Sequence, residues 1–501
     1  MCQTLSYHIG RTYEVSNISS INQRNKCAKV LLMRHVHFIG ICGKGMGALA
    51  VLLKEQGDIV TGSDEGFYEP MFSYLKDNGI EFKTPHSKDN IGEDTDIFVI
   101  GKHAKLTVDE NEEVRYAYES GKPITTFPQM LGEISKGKEN TVVIGSYGKS
   151  TCTALLSHIL KESNKDPSFF IGALPIDTNV MAHLGNGNDF IIEGDEYPTS
   201  NTDKKSKFLY LNARHILLTS GEHDHINVFP TLESYLEPYM KLVNSLPSNS
   251  TLVTCINNPN VLEIISGTKA KVVSYGVENN TDWYAKNIEF GEITKFDLYN
   301  RDKFITALET PLLGIHNIEN IVGVCAMALS RNLINADEIK KAVLSFHGVE
   351  GRLENKNVNS SVILFEGYGS SLEKTTSLFE ALKLHYPDRK IITVFEPHTF
   401  GWRNRNNLNW YKNAFIGSSV NLILKPPAHG SESHEQLTLD EIVSETKKNF
   451  PDTFGFENGN NVLEKLDEIL KPNDIVIMIT SGDLLGIRGE IAKLIEQKFP
   501  N

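Results

Sequence analysis

The sequence predicts an α/β protein of three domains, each built on a mostly parallel sheet, and three observations predict it. The chain has 501 residues, enough for about three domains of ordinary size. Short apolar runs alternate with helical stretches along nearly its whole length, the pattern of βαβ units. Two of those runs end in glycine-rich turns that open helices, at Gly40–Gly47 and Gly145–Thr151.

The first domain is placed at residues 33–135. It reads as strand Val36–Ile39, helix Gly45–Gln56, strand Ile59–Thr61 and later strand Ile97–Ile100, a Rossmann-like order. A polar break, Ser135-Lys136-Gly137-Lys138-Glu139-Asn140, closes it. The second domain, 136–345, begins again with strand Thr141–Ile144, a glycine turn and helix Ala154–Leu160, the opening of a P-loop-type fold, and continues with strands Phe190–Glu193, His215–Thr219 and Leu252–Cys255. The third, 346–501, carries Val362–Phe365, Ile391–Phe395, Leu422–Leu424 and Ile475–Ile479, a second Rossmann-like sheet. Residues 1–32 are rich in Ser, Asn and single charges and read as a poorly ordered extension or a misassigned translation start.

The bulk numbers exclude several function classes. With 40% hydrophobic and 23% charged residues the composition is ordinary for a globular protein. A formal charge of −13 argues against nucleic acid as partner, because affinity for a polyanion rests on Lys and Arg neutralising phosphates. The absence of a run of about 18 apolar residues argues against a membrane span, and the N-terminal stretch lacks a signal-peptide core. The six cysteines, Cys2, Cys27, Cys42, Cys152, Cys255 and Cys325, form no C-x-x-C pair, which suits a reducing cytoplasm and gives no thiolate zinc site. A cytoplasmic monomer or weak homo-oligomer is expected.

The segment Gly145-Ser146-Tyr147-Gly148-Lys149-Ser150-Thr151 sits between a strand and an apolar helix. Backbone N–H groups and the positive end of a helix would surround an anion there, with Lys149 as a point charge and the Ser150 hydroxyl available to Mg²⁺. ATP is the expected ligand. The strict Walker spacing would put Gly at position 143, where the chain has Val143.

The first turn, Gly40-Ile41-Cys42-Gly43-Lys44-Gly45-Met46-Gly47, is followed by Asp64 at the end of the next strand, the arrangement that cradles a pyrophosphate and accepts bonds from a ribose. It suits a nucleotide sugar or a dinucleotide. Two acidic clusters, Glu193-Gly194-Asp195-Glu196 and Glu222-His223-Asp224-His225, fall at strand ends, where Ser150, Glu193 and His225 would hold Mg²⁺ or Mn²⁺ beside the phosphates. His223 reads as a polar loop residue, and His103, Arg115 and Lys44 as surface charges with no catalytic role.

In the order of these motifs the chain resembles the Mur ligase family, the ATP-dependent amide-bond ligases of peptidoglycan assembly, over almost everything after Met33. Gly40–Met46 resembles the family's UDP-binding turn, with Gly40, Ile41, Gly43, Lys44, Gly45, Met46 and Asp64 on the substrate side; Ile144–Thr151 resembles its Gly-Thr/Ser-x-Gly-Lys-Thr/Ser-Thr loop. The resemblance implies that Lys149 and the loop hold the β and γ phosphates. It further implies that Ser150 and Glu193 bind one metal and His225 a second, that His316, Asn317 and Asn320 of His-Asn-x-x-Asn lie near adenine, and that Arg352 reaches the phosphates from the third domain.

Glu193–Tyr197 followed by Asp203-Lys204-Lys205-Ser206-Lys207-Phe208 resembles the murein peptide ligase branch, which attaches an L-alanine-led peptide to UDP-N-acetylmuramate; the sibling branch attaches free L-alanine. His398, in Glu396-Pro397-His398-Thr399-Phe400, falls in the segment that would meet the amine.

The chain departs from the family in the third domain. Where Asp-Asp-aromatic-Ala/Gly-His-x-Pro is usual, it has Glu366-Gly367-Tyr368-Gly369-Ser370-Ser371-Leu372, without the second acid, the histidine or the proline. An active ligase is the leading expectation. A homologue that only binds nucleotide sugar is the alternative this segment motivates, and a nicotinamide-dependent oxidoreductase leaves Gly145–Thr151 unexplained.

Overall fold

In the computed structural model the described residues are 33–226, 228–278, 280–357, 359–427 and 435–500, and the extension expected at residues 1–32 lies outside them. Most of the apolar runs become strands buried on both faces, as a parallel sheet covered by helices requires, while Ile59, which opens the second, stays exposed. β1 (His35–Ile39) is buried at every position. It pairs in parallel with β2 (Ile59–Ser63) on one side and β3 (Ile97–Ile100) on the other, and β4 (Ile124–Thr125) extends that sheet in the order β2-β1-β3-β4.

The central sheet begins with β5 (Glu139–Ile144), two residues earlier than the sequence suggests. Glu139 and Asn140, assigned above to a polar break, pair with Asp189 and Phe190 of the neighbouring strand, and the buried Asn140 amide donates to the Leu211 carbonyl at 3.0 Å. A polar side chain with a fixed partner is as much at home in a strand as an apolar one. β6 (Ser168–Phe170), β7 (Ala182–His183), β8 (Asp189–Glu193), β9 (His215–Leu218), β10 (Thr251–Cys255) and β11 (Lys271–Tyr275) follow, and an antiparallel extension is made by β12 (Trp283–Glu289), β13 (Thr294–Asn300) and β14 (Lys303–Thr310). The spatial order is β14-β13-β12-β11-β10-β9-β5-β8-β6-β7.

Phe346 and Val349 still pack in the core of this second sheet, and the third sheet begins just after them. Its strands are β15 (Arg352–Asn355), β16 (Ile363–Gly367), β17 (Ile391–Phe395), β18 (Val420–Leu424), β19 (Thr453–Phe456) and β20 (Ile475–Ile479), in the order β15-β16-β20-β17-β18-β19, with only β15 antiparallel. Alternate residues of one strand enter opposite cores: Phe395 and Ile477 pack with Trp402 and Tyr411, Val394 and Val476 with Leu466 and Ile491. Three domains on three sheets result, the mixed α/β architecture expected. The thiols of Cys42, Cys152, Cys255 and Cys325 are free and buried. No helix among the described residues is long and apolar enough to cross a membrane.

Candidate active site

β5 lies between β9 and β8, and the chain runs outward from it first on one side and then on the other. The loops leaving adjacent carboxyl ends therefore diverge above β5 and leave a crevice, which Gly145–Thr151 fills. Gly145 and Gly148 have φ of +135° and +77°, conformations that cost L side chains energy. A Cβ at position 148 would also stand 2.5 Å from Asn320 Oδ1. The helix that follows, Lys149–Glu162, starts on Gly148 with no side-chain cap and no acid in its first turn. Three other helices are capped by Asn111, Thr231 and Asn335, whereas those that begin on Gly43 and Gly314 are also uncapped. An uncapped N-terminus keeps its amides and its partial positive charge for an outside anion. The Ser146 and Tyr147 amides meanwhile donate to Ser220 Oγ, at 2.9 and 3.0 Å.

Lys149 Nζ donates to the Gly145 carbonyl at 2.5 Å and to Glu196 Oε2 at 3.0 Å. Glu196 is buried, and its other oxygen lies 3.1 Å from His225 Nε2, while Tyr197 Oη meets His225 Nδ1 at 3.1 Å. Burial alone would raise the Glu196 carboxyl, but the Lys149 charge and then the His225 hydrogen bond outweigh it and hold it down to about 2. Burial opposes the charge on Lys149 in the same way, and Glu196 overcomes it, so the lysine stays cationic with its pKa raised.

Glu193, at the end of β8, accepts from Ser150 Oγ at 2.8 Å and from the Gly172 amide at 2.7 Å, and burial pushes its carboxyl up. Arg352, on β15, and Lys44, from the first glycine turn, both lie within electrostatic reach of Glu193. Lys149, Ser150 and Glu193 thus stand together in the central domain, and Arg352 and Lys44 from the flanking domains act on Glu193 through their charge. The Ser150 and Glu193 oxygens suit a hard cation that takes most of its ligands from phosphate and water. Both ring nitrogens of His225 already have protein partners, and among the described residues no three His, Cys, Asp or Glu side chains converge as a closed metal cluster.

In the first turn Gly40 has φ of +85°, and the Gly40 and Ile41 amides donate to the Ser63 carbonyl. Cys42 N–H donates to Asp64 Oδ2 at 2.7 Å. The helix Lys44–Gln56 begins on Gly43, again without a side-chain cap or an acid in its first turn, and Gly45 faces the Phe127 ring, which stacks on Phe170 of the central domain at 5.5 Å. Met46 is buried in the core behind the turn.

The remaining expected residues lie apart. His316, at the start of helix Ile315–Ser330, lines a pocket of about 740 Å³ with Ile256, Asn257, Val277, Asn280 and Glu319. Asn317 and Asn320 turn inward instead: Asn317 donates to the Leu313 carbonyl at 2.9 Å, and Asn320 braces Gly148 and accepts from the Cys152 thiol at 3.4 Å. His398 Nδ1 lies 3.1 Å from Ser481 Oγ, next to the buried Glu396, which accepts from the Leu484 amide at 3.2 Å.

The divergent segment leaves β16 among the same strand ends. Arg488 bridges Glu366 Oε1 at 3.3 Å and the Gly482 carbonyl at 2.5 Å, Tyr368 lies under Arg352 at 4.9 Å, and Ser371 caps the helix Leu372–His385. Sequence reasoning gave no role to Glu196, Ser220 or Lys374. Ser220 follows β9, the strand beside β5, so sheet order would have found it. Lys374 carried a different signal, a cation in the first turn of a helix where the macrodipole disfavours it.

Two family models match the chain: the Mur ligase family catalytic domain over residues 35–139, and the Mur ligase middle domain over 143–328. The UDP-N-acetylmuramate–L-alanine ligase of Caldanaerobacter subterraneus is 28% identical over 455 residues, 90% of this chain and 95% of its own length. The solved UDP-N-acetylmuramate–alanine ligase of Thermotoga maritima superposes with a TM-score of 0.74 at 21% identity, covering 92% of this chain and 99% of its own. The murein peptide ligase of Psychrobacter arcticus superposes at 0.66 and 22%, covering 92% and 98%.

Proposed function

The chain belongs to the Mur ligase family of ATP-dependent amide-bond ligases, and from that premise we propose that it joins UDP-N-acetylmuramate to an L-alanine-led peptide. The observation that carries the reading is the convergence of the uncapped loop, Lys149 and the Ser150–Glu193 pair with Arg352 and Lys44. A carboxylate is a poor electrophile, and it must meet a nucleotide that is also anionic. Lys149, Arg352 and Lys44 reduce that repulsion, and the loop amides stabilise charge on the phosphoryl oxygens. A carboxylate oxygen of the sugar bonds to the γ phosphorus while the bond to ADP breaks, giving an acyl phosphate. The amine then adds to the acyl carbon, loses a proton, and phosphate leaves.

Ser150 and Glu193 are the residues that would hold Mg²⁺ or Mn²⁺, which supplies further charge neutralisation when bound; for His225 to hold a second metal it would release Glu196 or Tyr197. The first turn with Asp64 takes the UDP group, the pocket beside His316 takes adenine, and His398 with Glu366 and Arg488 floors the amine site. We place the domain limits at 33–135, 136–345 and 346–501, and the protein in the cytoplasm as a monomer or weak homo-oligomer.

A second reading, ligation of free L-alanine, is favoured by the name of the Caldanaerobacter relative. Incubation with ATP, Mg²⁺ and UDP-N-acetylmuramate, and either L-alanine or L-alanyl-γ-D-glutamyl-meso-diaminopimelate, separates the two. Phosphate release with the tripeptide alone is expected. Release with alanine alone would favour the second reading, and release with neither would reject both.

A further inference from the structure

The segment Glu366–Leu372 that leaves β16 carries no cation of its own, yet just beyond it the third domain sends one back to the phosphate loop. Lys374 is the third residue of helix Leu372–His385, and Ser371 Oγ caps its amide at 3.3 Å. Its Nζ stands 3.3 Å from Asp224 Oδ2 and 5.2 Å from the centre of the Tyr147 ring. Tyr147 is the middle of the loop, and Asp224 is the residue before His225, whose own amide donates to Asp224 Oδ1 at 2.7 Å.

Two facts argue that this placement is not a surface ion pair. A lysine in the first turn of a helix opposes the helix dipole and there weakens the helix it belongs to. Its side chain is also three-quarters shielded, at 26% exposure, as is that of Asp224, at 24%, so both have given up much of their hydration to meet at the loop. An ammonium has three N–H donors, and Asp224 takes one. Among the described residues the other two have no hydrogen-bond acceptor.

We propose that Lys374 is a further catalytic residue, contacting the terminal phosphate of ATP from the third domain, and that Asp224 is the positioning residue that aims it. The inference rests on the ATP-ligase reading of the same loop.

The test uses the full chain with Mg²⁺ and two probes, ADP and the non-hydrolysable β,γ-imido analogue of ATP, titrated calorimetrically into wild type, Lys374→Met and Lys374→Arg. Loss of a charge-assisted hydrogen bond to the γ phosphate should weaken the imido analogue at least about ten-fold in Lys374→Met, with ADP within about two-fold. Lys374→Arg should keep most of the preference, which shows that position 374 tolerates substitution. An unchanged preference in Lys374→Met, or equal loss of both nucleotides, overturns the inference while leaving the ligase reading intact. A wild type that binds neither nucleotide overturns both.

Discussion

The chain builds a strand, a glycine turn and an uncapped helix twice, and the two copies are braced in different ways. In the first, the turn's amides are held by the end of β2, through the Ser63 carbonyl and the Asp64 carboxylate. In the second, the end of β9 does the same through the neutral hydroxyl of Ser220. A fixed negative charge in the turn repels a highly charged triphosphate but can accept hydrogen bonds from sugar hydroxyls. A hydroxyl can rotate away and surrender its amides to a phosphate. The second turn also carries Lys149, held charged by the buried Glu196. On the proposed function the same local fold is divided between holding a nucleotide and reacting with one, and the neighbouring strand end makes the division.

The largest expected effect breaks only the second turn. Lys149→Ala should lower ATP-dependent phosphate release by about 100-fold or more, since removing one preorganised donor of this kind costs that order. Binding of UDP-N-acetylmuramate, measured by calorimetry, should stay within about two-fold. Normal turnover in this variant would refute the assignment of the loop.

A smaller effect compares the two backbones directly. Gly148→Ala and Gly40→Ala each place a Cβ at positive φ, and at 148 it meets Asn320 Oδ1 at 2.5 Å, at 40 the flexible Leu106 Cδ1 at 2.9 Å. Each should cost about 1–3 kcal/mol of stability in thermal unfolding, with Gly148→Ala the greater. ATP affinity should fall in the first variant and UDP-sugar affinity in the second. Loss of both ligands in either variant would mean that the turns do not act separately.

The smallest effect is a difference in acid sensitivity. His37, buried in β1 with Nε2 unpartnered, is pushed down from 6.5 to about 4 by burial. The unfolded chain then binds the proton first, so stability falls as pH drops from about 6.5 to about 4. Glu196 is depressed from 4.5 to about 2, so its contribution is intact above about 4.5 and is lost only as pH falls towards 2. Melting temperatures across pH should therefore show the His37 loss first. His37→Gln should make the upper window shallower, since His215 and His316, also pushed down to about 4 by burial, share it, and Glu196→Gln should flatten the lower one; no change in either would mean the acid response lies elsewhere.

Much of this was legible in the amino-acid order. The strands β1–β3, β5, β8–β10, β16–β18 and β20, the two turns and the Lys149–Ser150 pair follow from local rules, apolar runs for covered strands and glycine for positive φ and close backbone approach, whereas β4, β6, β7, β11–β15 and β19 were not read. The register of Glu139 and Asn140 in β5 was missed because their partners, Asp189, Phe190 and Leu211, come some 50 residues or more later in the chain. Asn320 was expected near adenine from its motif, and its place behind Gly148 depends on how two helices pack.

The sequence by itself determined where an anion-binding turn forms, because backbone amides, a glycine pair and the next lysine all lie within the seven residues Gly145–Thr151. Only the tertiary structure decided which charges answer it. Glu196 rather than Glu193 pairs with Lys149, Arg352 and Lys44 arrive from opposite domains, and Lys374 reaches Asp224 across 150 residues of chain. Charges of one sign are interchangeable in a sequence; the distance and burial that make one of them matter exist only once the domains have met.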